Sequence, residues 1–151
     1  MDLFIKKLSL FIVFFTLFAI QAQVPKVLTV EEVPFFVQKT LRDLYPSVEI
    51  LEWSEFSGNY IAKVRSQDSP GRINVTGGGS FISSEWDLET KYLPSKISIY
   101  MKENYPKYKI IRLFVEKKAQ SNYVVELYKK KGKLNKSLVF SLNGDFLEER
   151  K

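Results

Sequence analysis

Across residues 34–45 the apolar positions Val37, Leu41, Leu44 and Tyr45 fall at i, i+4, i+7 and i+8. They form one stripe along a helix, with Gln38, Lys39, Arg42 and Asp43 off it. Pro34 suits the helix start, where a missing N–H costs nothing. Tyr45 precedes Pro46 and is pushed out of the helical region, so the helix ends there. Residues 48–56 read as a strand closed by a Ser57-Gly58-Asn59 turn. Tyr60, Ala62 and Val64 then alternate with Ile61, Lys63 and Arg65, the period of a half-buried strand. Residues 67–71 are a loop by composition. Ile73 and Val75 alternate with Asn74 and Thr76, and Gly77-Gly78-Gly79 leads into Ser80-Phe81-Ile82. No helix carrying Lys-Ser/Thr follows the three glycines, so they read as a hairpin turn and not as a phosphate cradle.

The same pattern recurs. Pro94 and Pro106 repeat Pro34 and Pro46 sixty positions later, and Ile97, Met101 and Tyr105 repeat Val37, Leu41 and Tyr45. Tyr123, Val125 and Leu127 repeat Tyr60, Ala62 and Val64 at a displacement of sixty-three. Leu138 and Phe140 repeat Ile73 and Val75 at sixty-five, ahead of an Asn143-Gly144 hairpin signal. A helix followed by four strands, written twice, predicts an α+β fold: a tandem repeat of two helix-plus-antiparallel-sheet units with both helices on one face of the sheet. The predicted boundaries are a first unit at 23–84, a linker at 85–92 and a second unit at 93–151. The shared apolar positions predict the core: Leu51/Ile111, Trp53/Leu113, Tyr60/Tyr123, Val64/Leu127, Ile73/Leu138, Val75/Phe140 and Phe81/Phe146. Trp86, in the linker, is either a plug between the halves or an exposed anchor.

Residues 1–22 have a different character. Lys6 and Lys7 precede an apolar run over 8–20, and Ala22 offers a small residue for cleavage. This is the layout of a secretory signal peptide, and the run is too short for a spanning helix. The expectation is export to the periplasm or beyond, with cleavage after Ala22 and membrane contact only before that cut.

Composition narrows the chemistry. The 151 residues contain no cysteine and no histidine. Thiolate nucleophiles, disulfides, imidazole bases and the commonest zinc ligands are therefore excluded. The acids are scattered, and Ser95-Lys96 lack the spacing of a Ser/Lys hydrolase. The expectation is no enzyme, no cofactor and no metal. Net charge is +6, but export makes nucleic acid a poor partner. Two surfaces remain. The sheet face away from the helices is expected to carry Ile50, Glu52, Lys63, Arg65, Arg112, Phe114, Glu126 and Tyr128. Among these, Lys63, Arg65, Arg112, Phe114 and Tyr128 are the candidate binding residues, because Tyr and Arg are enriched at interface hot spots. The structural alternative is an ordinary solvated sheet face. The second surface is the lysine-rich hairpin at Lys129, Lys130, Lys131 and Lys133, which suits anionic lipid or polysaccharide, or simply keeps a hairpin tip soluble.

A Pro-started helix, a Tyr-Pro stop, an aromatic-bearing strand, a Tyr strand and a final hairpin ending in Phe, written in tandem behind a signal peptide, resemble the PepSY-like, β-lactamase-inhibitor-like exported proteins of Bacteroidetes. The resemblance covers about residues 29–147. It implies a fold of tandem helix-plus-sheet units and an exported, non-enzymatic module. The expected function is a binding or inhibitor-like module that recognises an unidentified protein or peptide of the envelope through its open sheet face. The alternative function is an envelope-associated structural protein held to an anionic surface by the lysine hairpin.

Overall fold

The computed structural model describes residues 24–129 and 136–150. The predicted signal peptide, and Lys130, Lys131 and Lys133 of the lysine hairpin, lie outside them. The strands are β1 (Lys26–Leu28), β2 (Glu49–Phe56), β3 (Asn59–Ser66), β4 (Ser69–Thr76), β5 (Phe81–Leu88), β6 (Lys109–Lys117), β7 (Ser121–Tyr128), β8 (Lys136–Ser141) and β9 (Phe146–Arg150). Helix α1 (Phe35–Leu44) follows β1, and α2 (Ser95–Asn104) follows β5. Each helix is preceded by a short 3-10 turn, Val30–Glu32 or Thr90–Tyr92.

Among the described residues, nine strands form one antiparallel sheet whose order follows the chain from β1 to β9. This corrects the predicted α+β tandem of two helix-plus-sheet units. The fold is largely β, one continuous sheet with two ten-residue helices against it. The physical reason lies in residues 85–92, read as a linker. Their first half is strand: β5 runs on through Glu85, Trp86, Asp87 and Leu88 and pairs with β6 from Ser84↔Lys117 to Leu88↔Leu113. No loop separates two sheets there, because the ladder continues across the midpoint.

Both helices end as the Tyr-Pro pairs require. The Tyr45 N–H donates to the Leu41 carbonyl and the Tyr105 N–H to the Met101 carbonyl, each at 2.9 Å. Pro34 and Pro94 cap the N-termini. Helix α1 buries Val37 and Leu41 on Trp53, Ala62, Val64, Ile73 and Val75. Helix α2 buries Ile97 and Met101 on Leu113, Val125, Leu127, Leu138 and Phe140. Full burial of one such aliphatic side chain contributes about 1.5–3 kcal/mol. Trp86 of the first cluster pairs with Val115, and Leu88 packs on the second and pairs with its Leu113, so the two helices cover the same sheet face.

Leu51 and Ile111 do not join this core; they are 46% and 56% exposed. Each is the extra residue of a β-bulge, between Ile50 and Glu52 in β2 and between Ile110 and Arg112 in β6. A bulge breaks strict alternation and re-aims a side chain. The β2 bulge also explains Ile50, which pairs with Val64 and so belongs to the helix-covered face, not the open one.

Candidate functional site

The open face of the sheet can be read from the register. Residues paired with the alternates of the core positions share it: Glu49, Glu52 and Phe56 on β2; Ile61, Lys63 and Arg65 on β3; Arg72 and Asn74 on β4; Glu85 and Asp87 on β5; Arg112, Phe114 and Glu116 on β6; Val124, Glu126 and Tyr128 on β7. Lys63, Arg65, Arg112, Phe114 and Tyr128 therefore share a face. They do not form one patch. Lys63 and Arg65 stand on β3 and Tyr128 on β7, four strands and about 19 Å away.

The β6–β7 side is closed on itself. Phe114 is only 5% exposed and packs with Val124 and Val139 as a small core of its own on this face. The Arg112 guanidinium lies 4.0 Å from the Phe114 ring centroid. Its Nε donates to Asp87 Oδ1 at 2.7 Å and its Nη2 to Glu85 Oε2 at 2.9 Å, with Glu126 Oε1 3.6 Å from Nη1. Burial disfavours the Arg112 charge, but the bonds to Glu85 and Asp87 outweigh it and raise the pKa above its ordinary value. Glu116 likewise holds Lys118 at 2.9 Å and Arg150 at 2.8 Å. Burial pushes the Glu116 carboxyl up, and those two cations overcome it and hold it below the usual range. Arg112 and Phe114 are thus committed to each other and to neighbouring acids.

The β2–β4 side is different. Lys63 and Arg65 side chains are 56% and 53% exposed, and among the described residues they pair with half-buried Glu52 at 2.5 Å and exposed Glu49 at 3.6 Å. Directly across from Lys63 on β4 stands Arg72, exposed, with Glu85 of β5 opposite it on its other side and no ion pair among the described residues. Like charges directly opposite each other on one face repel. Ile61 is the next open-face residue along β3 from Lys63, and Phe56, 40% exposed, lies beyond it, opposite Asn59. Arg72 is the residue that the sequence reading did not select. Its alternation with Ile73 and the Lys63↔Arg72 register identify it once β3 and β4 are aligned across a two-residue turn.

Of the lysine hairpin, Lys129 is described: its Nζ lies 5.6 Å from the Tyr108 ring centroid. Among the described residues no group of three or more acids could hold a metal ion, and no helix is long and apolar enough to cross a membrane.

The arrangement of two helices on one side of a meandering sheet recurs in solved structures. A DUF2874 family protein from Bacteroides uniformis superposes with a TM-score of 0.68 at 17% identity, covering 78% of this chain and 88% of that one. A BLIP-like protein from Bacteroides fragilis gives a TM-score of 0.67 at 18% identity, covering 85% and 88%. This chain shares their fold. A Bacteroides eggerthii protein, provisionally assigned to the periplasm, also shares it, with a TM-score of 0.67 at 16% identity over 78% and 88% of the two chains. No protein-family model and no curated protein matches the sequence. The fold is thus that of a BLIP-like Bacteroides protein, and the PepSY part of the resemblance finds no counterpart in these structures.

Proposed function

We propose that this chain is an exported, non-enzymatic binding module that recognises an acidic segment of a protein or peptide through the β2–β4 part of its open sheet face. The observation that carries the reading is the exposed Lys63/Arg72 pair, two cations held side by side with Arg65 alongside. Glu52 and Glu85, across from Lys63 and Arg72, offset part of that repulsion and an acidic partner offsets the rest, while Ile61 and then Phe56 supply apolar contact along the same face. Arg112 and Phe114 have a structural role in this reading, and Tyr128 stands outside the patch. Export rests on the charged-then-apolar start of the sequence, supported by the provisional periplasmic assignment of a protein of the same fold. The lack of cysteine and histidine supports a non-enzymatic role.

The test is an NMR titration of residues 23–151 with an acidic peptide of alternating Glu and Val. Amide shifts should concentrate at Lys63, Arg65 and Arg72, weaken as salt rises, and vanish in Arg72→Glu. Shifts centred on Arg112 and Phe114, or unchanged in Arg72→Glu, would sink the proposal.

A further inference from the structure

A second, independent site lies on the helix-covered side, where the Tyr45-Pro46 corner meets the β3–β4 turn. A cavity of about 450 Å³ opens there, within the range of small-ligand sites. Tyr45 and Trp86 form its aromatic wall, with ring centroids 5.8 Å apart. Ser47, Ser66, Gln67 and Ser69 supply its polar groups, and no lining residue carries a charge at neutral pH. Among the described residues none of these four side chains, nor the Trp86 indole N–H, makes a hydrogen bond. Gln67 holds a left-handed φ of +53°, a conformation that favours glycine, at the rim of the cavity.

Small residues keep this corner open. Gly71 pairs with Trp86 across the β4–β5 ladder, and a Cβ there would sit 2.6 Å from the indole. The Tyr45 hydroxyl donates to the small Ser84 hydroxyl at 2.9 Å. The corner at Tyr105-Pro106 is filled instead. Sixty-five positions after Gly71 and Ser84 stand Lys136 and Glu149, bonded at 2.6 Å. Glu149 accepts the Tyr105 hydroxyl proton at 2.9 Å. Burial first, and then that carboxylate, push the Tyr105 pKa up to about 12. The neighbouring cavity is about 230 Å³ and has Lys102 in its wall. One corner is charged and plugged; the other is neutral, open and aromatic.

We infer that the Tyr45-Trp86 corner binds a neutral saccharide, one sugar ring stacked on Trp86 and its hydroxyls meeting Ser47, Ser66, Gln67 and Ser69. Hydroxyls and an amide both donate and accept, as sugar hydroxyls do, and the absence of charge disfavours acidic or basic ligands. The ligand is either a free sugar or a stretch of surface glycan.

The test titrates residues 23–151 with cellobiose and maltose, following the Trp86 indole N–H and the amides of Ser47, Ser66, Gln67 and Ser69. At least one disaccharide should shift these signals and leave those of the Lys63, Arg65 and Arg72 patch in place. Trp86→Phe should weaken binding about tenfold, and Gln67→Ala with Ser69→Ala, which leaves the aromatic wall intact, should weaken it too. Co-sedimentation with insoluble cellulose or starch assigns the source: pelleting indicates glycan, soluble binding alone a free sugar. No shift at tens of millimolar sugar, shifts unchanged in the Gln67/Ser69 variant, or a response only to a proline-rich peptide would overturn the inference.

Discussion

Replacing Arg112 by Met keeps an unbranched side chain out to about the Nε position and removes the guanidinium with its charge. The wild-type guanidinium makes two close bonds to Asp87 and Glu85 and covers the Phe114 ring. Charge-assisted bonds contribute about 1.5–3 kcal/mol each, and the ring contact about 1 kcal/mol. Against this stand the several kcal/mol needed to desolvate the cation and the screening of acids that remain 21–37% exposed. The balance is a loss of about 2–3 kcal/mol in Arg112→Met, because Glu85, Asp87 and Glu126 are left as like charges with no cation between them. With a urea slope of about 2 kcal/mol/M, the midpoint should fall by about 1 M. Removing Asp87 as well, as Asp87→Asn, should cost less than the sum of the two single losses. Equilibrium urea unfolding of the four proteins, followed by far-UV circular dichroism, measures both quantities. A midpoint shift below about 0.2 M in Arg112→Met, with additive singles, would refute the idea that this cluster closes the β6–β7 part of the open face.

Three further outcomes follow from other parts of the structure. Arg72→Glu should leave the thermal melt within about 0.5 kcal/mol of wild type, since the opposite-charge cross-strand pair it gains with Lys63 is offset by the like-charge pair it makes with Glu85. Gly79 has φ +86°, and a Cβ there would lie 2.9 Å from the Phe36 carbonyl oxygen, so Gly79→Ala should cost about 1–3 kcal/mol. Gly78→Ala, whose nearest neighbour lies 3.9 Å away, should leave the melt almost unmoved. Glu116 is held below its ordinary pKa in the native state, so the folded chain binds fewer protons there than the unfolded one. Its contribution is complete above the unfolded carboxyl value of about 4.3 and disappears as pH falls through the lower folded value. Glu116→Gln should therefore flatten the decline of the urea midpoint on acidification through that window.

Local structure was legible wherever one period ran uninterrupted. The stripe of Val37, Leu41 and Tyr45, the Tyr-Pro stops and the alternation of Tyr60, Ala62 and Val64 appear as read, because each depends on neighbours within a few residues; Leu44, read into the same stripe, is 51% exposed. What depends on pairing was not legible. β1 is three residues long and reads as a leader until β2 lies beside it, with Leu28 opposite Trp53. Residues 85–88 look like a linker by themselves and become strand because β6 supplies partners. Leu51 and Ile111 look like core, since nothing in either residue announces a bulge. The open-face residues were placed on a common side by alternation alone. Alternation says nothing of how Arg112 is engaged, and that contact divides the face into a sealed part and an accessible one.

Strand order that follows chain order has a kinetic consequence. Every ladder among the described residues joins strands consecutive in the chain, with a helix-bearing connection only at β1–β2 and β5–β6, so contact order is low for a chain this rich in strand. Folding can zip outward from any hairpin already formed, the tight Gln67-Asp68 turn being a natural seed. Such a chain should reach its native sheet faster than a β-sandwich of equal length, whose first and last strands must find each other.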